Sequence, residues 1–345
     1  MAISLRHVSI VLLPMLLFAA CATTEVVTPF SATGPVWPPL PQQARIAFVG
    51  QFSDESDLGI APTFWQRVVT LTAGKKDTRM SRPMAVAATS DRRVIFVADP
   101  EAGCVHRYDL RKGRYDCLAA EKTAMEVRAV GMAVIADQWL VVADSQAGQL
   151  YRADIDAEFL SEFYVSAELE QPTGVFWNPA TERLFVTDTA RQSVLELDSL
   201  GNLKRVIGER GTAPGQFNFP TYLWVDDRDE LLVTDSLNFR LQRFDVDGNF
   251  LSTFGENGDI PGDFSRPKGV ATDQYGHIYV IDAMMHAVQI FDRDGRLLLS
   301  IGEQGQGVGE FWLPNGIFVT QDNTIFIADA YNRRVQVFRY VGPPS

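Results

Sequence analysis

A short apolar run that ends in aspartate recurs six times along the chain, at 94–99, 140–144, 184–188, 231–235, 278–282 and 325–329. The closing residues Asp99, Asp144, Asp188, Asp235, Asp282 and Asp329 stand 45, 44, 47, 47 and 47 residues apart. Each run sits among other short β-rich segments separated by polar turns. In the later copies, Gly208, Gly255 and Gly302 keep the same 47-residue step, as do Gly211, Gly258 and Gly305, then Gly215, Gly262 and Gly309, then Phe217, Phe264 and Phe311. A period of roughly 40–50 residues holding four short strands is that of one propeller blade. Both faces of such a sheet are apolar and only neighbouring blades bury them, so the ring has to close. The fold expected is all-β, a six-bladed β-propeller of four-stranded blades.

The sequence also indicates how the ring closes. The sixth copy stops at Arg339-Tyr340-Val341, after its third strand, while Ile46-Ala47-Phe48-Val49-Gly50 resembles the fourth-strand segment Ser252-Thr253-Phe254-Gly255. An N-terminal strand is therefore expected to complete the last blade and cover an open sheet edge. Between that strand and the first copy, residues 62–73 place Phe64, Trp65, Val68, Val69 and Thr72 on one helical stripe, with proline at the start and Gly74 after the end. This pattern predicts one short capping helix.

Ahead of the repeats, residues 1–20 read as a signal peptide, with Arg6 before an apolar run from Val8 to Ala20. That run is too short to span a bilayer as a mature helix. Leu17-Phe18-Ala19-Ala20-Cys21 resembles the lipobox of bacterial lipoproteins. The resemblance implies diacylglycerol on the Cys21 sulfur, cleavage before it and acylation of the new amino terminus. With Ala22 following, it also implies extracytoplasmic anchoring in the cell envelope, at the outer membrane. Residues 21–43 contain Pro29, Pro35, Pro38, Pro39 and Pro41 and form a proline-rich tether ahead of a propeller at 44–341.

The net charge is −12, or −13 once a leader bearing only Arg6 is removed. Such a body repels phosphate backbones, so no nucleic-acid partner is expected. The partners expected are the membrane, through the lipid, and an envelope protein or small ligand bound by a monomer.

Asp329-Ala330-Tyr331-Asn332-Arg333-Arg334-Val335-Gln336-Val337-Phe338 and the matching runs at 235–244 and 282–291 resemble the NHL repeat. His286 holds the place of that motif's histidine, where Phe239 and Arg333 stand in the other two copies. The likeness extends over about residues 80–340. It implies an interaction platform and supports fold more than function, because propellers host many activities.

The marker aspartates invite a metal or catalytic reading, but an aspartate at a strand end also binds the amides of the following turn. Repetition in all six copies favours that architectural role, with Asn238, Arg240, Asn332 and Arg334 bracing the same loops. The four histidines, His7, His106, His277 and His286, lack zinc-site spacing. No nucleophile elbow is present, and no cofactor is expected. Cys104 and Cys117 flank a hairpin turn at 110–113, and an oxidising compartment lets them pair as a disulfide if the register permits. The residues after the repeat prolines, Met84, Thr173, Thr221, Lys268 and Asn315, are candidates for the rim of the central channel and for ligand binding there. Phe239, Met284 and Tyr331 are candidate loop contacts for a partner. The function expected is a membrane-anchored, non-catalytic binding or scaffold propeller. The alternative is a metal-dependent lactonase, hydrolase or lyase using the channel, as in some six-bladed propellers this chain resembles.

Overall fold

A computed structural model describes residues 30, 34–61, 77–121 and 126–343. The leader, Cys21 and the capping helix expected at 62–73 lie outside these residues.

Six antiparallel sheets form a ring. The first blade contains strands Ala85–Ala88, Val94–Asp99, Cys104–Asp109 and Arg114–Leu118. The second contains Ala129–Ile135, Trp139–Asp144, Gln149–Asp154 and Ser161–Phe163, and the third Pro172–Asn178, Arg183–Asp188, Ser193–Asp198 and Leu203–Ile207. The fourth contains Pro220–Val225, Leu231–Asp235, Arg240–Phe244 and Phe250–Phe254, and the fifth Pro267–Thr272, Ile278–Asp282, Ala287–Phe291 and Leu297–Ile301. In the sixth, Ile317–Val319, Thr324–Asp329 and Arg334–Tyr340 are joined by Ile46–Phe52 from the other end of the chain.

Burial follows from this arrangement. Second strands such as Val94–Asp99 and Thr324–Asp329 are buried along their whole length, because each is covered on both faces by the adjoining blades. Fourth strands lie outermost and alternate between half-buried and exposed, as in Phe250–Phe254. Prolines 172, 220 and 267 open first strands, where a missing N–H breaks no ladder bond, and the register shifts just after each of them.

The closing strand pairs Ile46 with Tyr340, Phe48 with Phe338 and Phe52 with Val335. The sheet also gains a fifth strand, Val36–Trp37, which pairs with Ile46 and Ala47. The indole of Trp37 lies 5.7 Å from the Phe338 ring. Part of the proline-rich stretch is therefore built into the body, even though two residues show no strand pattern in the sequence.

The glycine–phenylalanine phase lock has a steric cause. A Cβ on Gly208, Gly255 or Gly302 would meet the ring of Phe217, Phe264 or Phe311 at 2.2, 2.3 or 2.6 Å, and all three glycines have positive φ. Each ring lies flush on a bare Cα and clasps the inter-blade linker. Among the described residues, no helix is long and apolar enough to cross a membrane.

Candidate functional site

The marker aspartates work as braces. All six are nearly or fully buried. Asp144 accepts from the amides of Arg128, Gln146 and Ala147, joining the linker before its blade to the loop after it. Asp188 and Asp282 do the same with four amides or fewer. In the sixth blade, Asp329 accepts from the Trp312 amide at 2.8 Å and from Asn332 Nδ2, Arg334 Nε and Gln336 Nε2. Arg334 then donates onward to the carbonyls of Gln306, Gly307 and Glu310. The fourth blade repeats this pattern with Asp235, Asn238, Arg240 and Gln242. Burial leaves the Asp235 carboxyl above its ordinary value despite these bonds. At Asp99, burial acts in the same direction but is outweighed by His106 and the amides of Ala102, Ser81 and Arg82, and its value falls.

His106 is buried in a third strand between Asp99 and the Tyr115 hydroxyl. His277 bonds Asp273 at 2.7 Å, and the His286 Nδ1 accepts the Leu313 amide. Among the described residues, no three His, Cys, Asp or Glu side chains converge as a metal-ligand set.

Cys104 and Cys117 are joined by a disulfide. His106 is the residue directly opposite Cys117, so the two cysteines are diagonal neighbours, and the twist of the hairpin brings their Cα atoms to 5.6 Å. That separation lies inside the bridging range.

First strands of neighbouring blades line the central channel, and one residue bars it. Gly131, Gly174, Gly269 and Gly316 follow the rim position in four blades, and Ala85 in a fifth. In the fourth blade the same position is Tyr222. Its side chain reaches across the channel to the rims of the sixth, first and second blades. Its hydroxyl meets Asn315 Oδ1, lies 3.1 Å from the Met84 carbonyl and 3.5 Å from that of Val130. Those two carbonyls are bare for a sequence reason. In the third and fourth blades, Thr187 and Thr234 donate to the rim carbonyls of the following blade, Thr221 and Lys268, at 2.7 Å. The residues equivalent to these threonines in the sixth and first blades are Ala328 and Ala98, so the acceptors on Met84 and Val130 face the phenol instead. Burial holds the Tyr222 phenol above its ordinary pKa, so it remains a donor. Beyond it the channel is a cavity of about 80 Å³ lined by Phe176, Trp224, Phe318, Met132 and Val270. The Phe176 and Trp224 rings are 4.6 Å apart.

The rim candidates therefore surround a mouth with a floor. Thr173 is spent on Thr187, Thr189 and the Thr221 carbonyl, and Thr221 on Ser236. Asn315 is held by Tyr222 and by the Met84 sulfur. Lys268 is half-buried, and its ammonium has no hydrogen bond or ion pair among the described residues. Burial, with Arg266 adding like charge, pushes Lys268 down to about 8.

The loop candidates divide. Phe239 packs partly buried against the core between the fourth and fifth blades, whereas Met284 and Tyr331 are 56% and 45% exposed. Tyr331 lies against Trp312, itself 39% exposed, with ring centres 5.8 Å apart, and the Arg82 guanidinium sits 5.0 Å from the Tyr331 ring. Trp312 and Arg82 were not among the sequence candidates. Arg82 directly precedes the repeat proline Pro83 and Trp312 stands two residues before Pro314, positions the repeat marks without showing their exposure. Phe219 and Leu313, the residues immediately before Pro220 and Pro314, adopt left-handed φ values of 66° and 49°. Bulky side chains rarely tolerate that conformation.

A family model described as a 6-bladed beta-propeller matches residues 175–255 and 264–341, within the third to sixth blades. No curated protein sequence matches the chain. Among solved structures, virginiamycin B lyase from Staphylococcus aureus is similar at 13% identity, covering 76% of this chain and 96% of that one, with a TM-score of 0.57. Hydrazine synthase from Kuenenia stuttgartiensis is 13% identical over 78% of this chain and 99% of that one, at 0.54. A Bacteroides thetaiotaomicron protein of unknown function is 13% identical over 86% and 75%, at 0.59. At these identities the likeness is one of fold, and the chain is a six-bladed β-propeller.

Proposed function

We propose that this protein is an extracytoplasmic binding module, tethered to the envelope through lipid on Cys21, that engages an envelope protein through the loop face of its propeller. The observation that carries the reading is the exposed Trp312–Tyr331 pair with Arg82, beside a channel barred by Tyr222. Exposed aromatic and arginine side chains are the residue types that anchor protein interfaces. The strained backbone at Phe219 and Leu313 supports the same face, because strain of this kind collects at functional sites. The NHL-type pattern of the fourth to sixth copies also favours an interaction platform.

A photo-crosslinker placed at Tyr331 in intact cells should trap one discrete envelope protein. The same group at Leu251, 46% exposed on an outer strand, should not. Identical adducts at both positions, or none at either, would sink the proposal. One tightly held metal per purified chain, with no adduct, would direct attention to channel chemistry instead. Cys21→Ser should release the protein from membranes and abolish incorporation of labelled palmitate.

A further inference from the structure

Three lysines fall among the described residues. Lys112 pairs with Asp156 at 2.8 Å and Lys204 with Asp198 at 2.9 Å. Lys268 has no such partner, although the chain carries 43 acidic side chains against 31 basic ones. The repeat shows why. At the equivalent rim positions, Thr173 and Thr221 bond the hydroxyls of Thr189 and Ser236, which directly follow the marker aspartates. In the fifth blade that following residue is Ala283, which offers no acceptor. Arg266, of the same sign, adds its charge to the effect of burial on Lys268. A half-buried ammonium without a counter-charge destabilises the fold that holds it. It sits in a mouth floored by Tyr222, between two blades whose rims begin on the strained residues Phe219 and Leu313.

We propose that the channel mouth binds a small carboxylate, with Lys268 as its charge anchor. The chemistry of the rim selects this ligand. Thr173 and Thr221 have committed their hydroxyls, and the Asn315 amide is turned to Tyr222 and Met84. A phosphate would bring several acceptor oxygens to one ammonium and few free donors, whereas a single carboxylate group is matched by a single ammonium, with the rest of the ligand left in solvent. The barred channel makes the ligand an end-on guest that cannot thread through. This inference deepens the binding reading above and rests on it.

Calorimetric titration with succinate tests it. The wild-type protein should bind succinate, Lys268→Met should lose at least tenfold in affinity, and Lys268→Arg should keep most of it, with unfolding midpoints showing both variants folded. Acetylation of Lys268, read by mass spectrometry, should slow several-fold in succinate while Lys112 and Lys204 react unchanged. Equal binding by wild type and Lys268→Met would overturn the proposal, as would binding of inorganic phosphate but not succinate. Loss of succinate binding with the Tyr331 adduct intact would defeat this inference alone. A missing adduct with succinate still bound would defeat the interface reading alone.

Discussion

The second and sixth blades hold the same aspartate by different means. Asp144 is caught only by backbone amides, which any residue supplies, whereas Asp329 is caught by one amide and the side chains of Asn332, Arg334 and Gln336. The architecture is equal and the sequence signature is not. Blades four and six, braced by side chains, write their bracing into the sequence as Asn238, Arg240 and Gln242 and as Asn332, Arg334 and Gln336, whereas blade five holds Asp282 by amides alone. Blades braced by backbone leave the aspartate and little else. The matched family model covers residues 175–255 and 264–341 and so takes in both of the side-chain-braced blades.

The sharpest way to break this comparison is to remove both aspartates. Asp329→Ala strands the Arg334 guanidinium, whose side chain is 8% exposed, and a broken buried ion pair costs about 3–5 kcal/mol. Asp144→Ala leaves only amides unmet and should lose about 1–3 kcal/mol, so denaturant midpoints should separate the two. Equal losses would show that the brace, not the charge, carries the energy.

The first blade brings a covalent substitute. Cys104→Ser with Cys117→Ser opens a loop of 13 residues' separation, and on loop-entropy grounds should cost about 2–3 kcal/mol. Reduction of the wild-type protein should lower its unfolding midpoint to that of the double variant. No shift on reduction would mean that the hairpin alone sets the closure.

Tyr222→Phe should cost about 1 kcal/mol, because the Met84 and Val130 carbonyls lose their shared donor while the ring still fills the channel. One further effect has the opposite sign. Lys268 titrates at about 8 when folded against an ordinary 10.5, so the folded state binds fewer protons between those values and gains stability as pH rises through them. Its burden is therefore present in full below about pH 8 and gone above 10.5. Lys268→Met should melt higher than wild type at pH 7 and lose that advantage by pH 10.5, as thermal scans at the two pH values would register.

Blade number, ring order and the closing strand were legible because they repeat or complete a repeat. The architectural role of the marker aspartates was legible for the same reason. What escaped were departures from the repeat. Tyr222 replaces a glycine in a Pro-x-Gly step, a visible anomaly whose meaning depends on bare carbonyls a hundred residues away at Met84 and Val130. Val36–Trp37 is too short to show alternation. The exposure of Trp312 beside Tyr331 is set by packing between blades, which no local pattern records.

The strand Ile46–Phe52 leaves the ribosome ahead of all six repeats, yet its partner Arg334–Tyr340 is made about three hundred residues later. Until then the sixth sheet lacks a neighbour and the ring has a gap. A contact of such long sequence separation forms late and slowly. The molecule thus inspects its own length: a product cut short before Tyr340 leaves an open strand edge on display, ready for a chaperone or a protease, while a finished one latches shut.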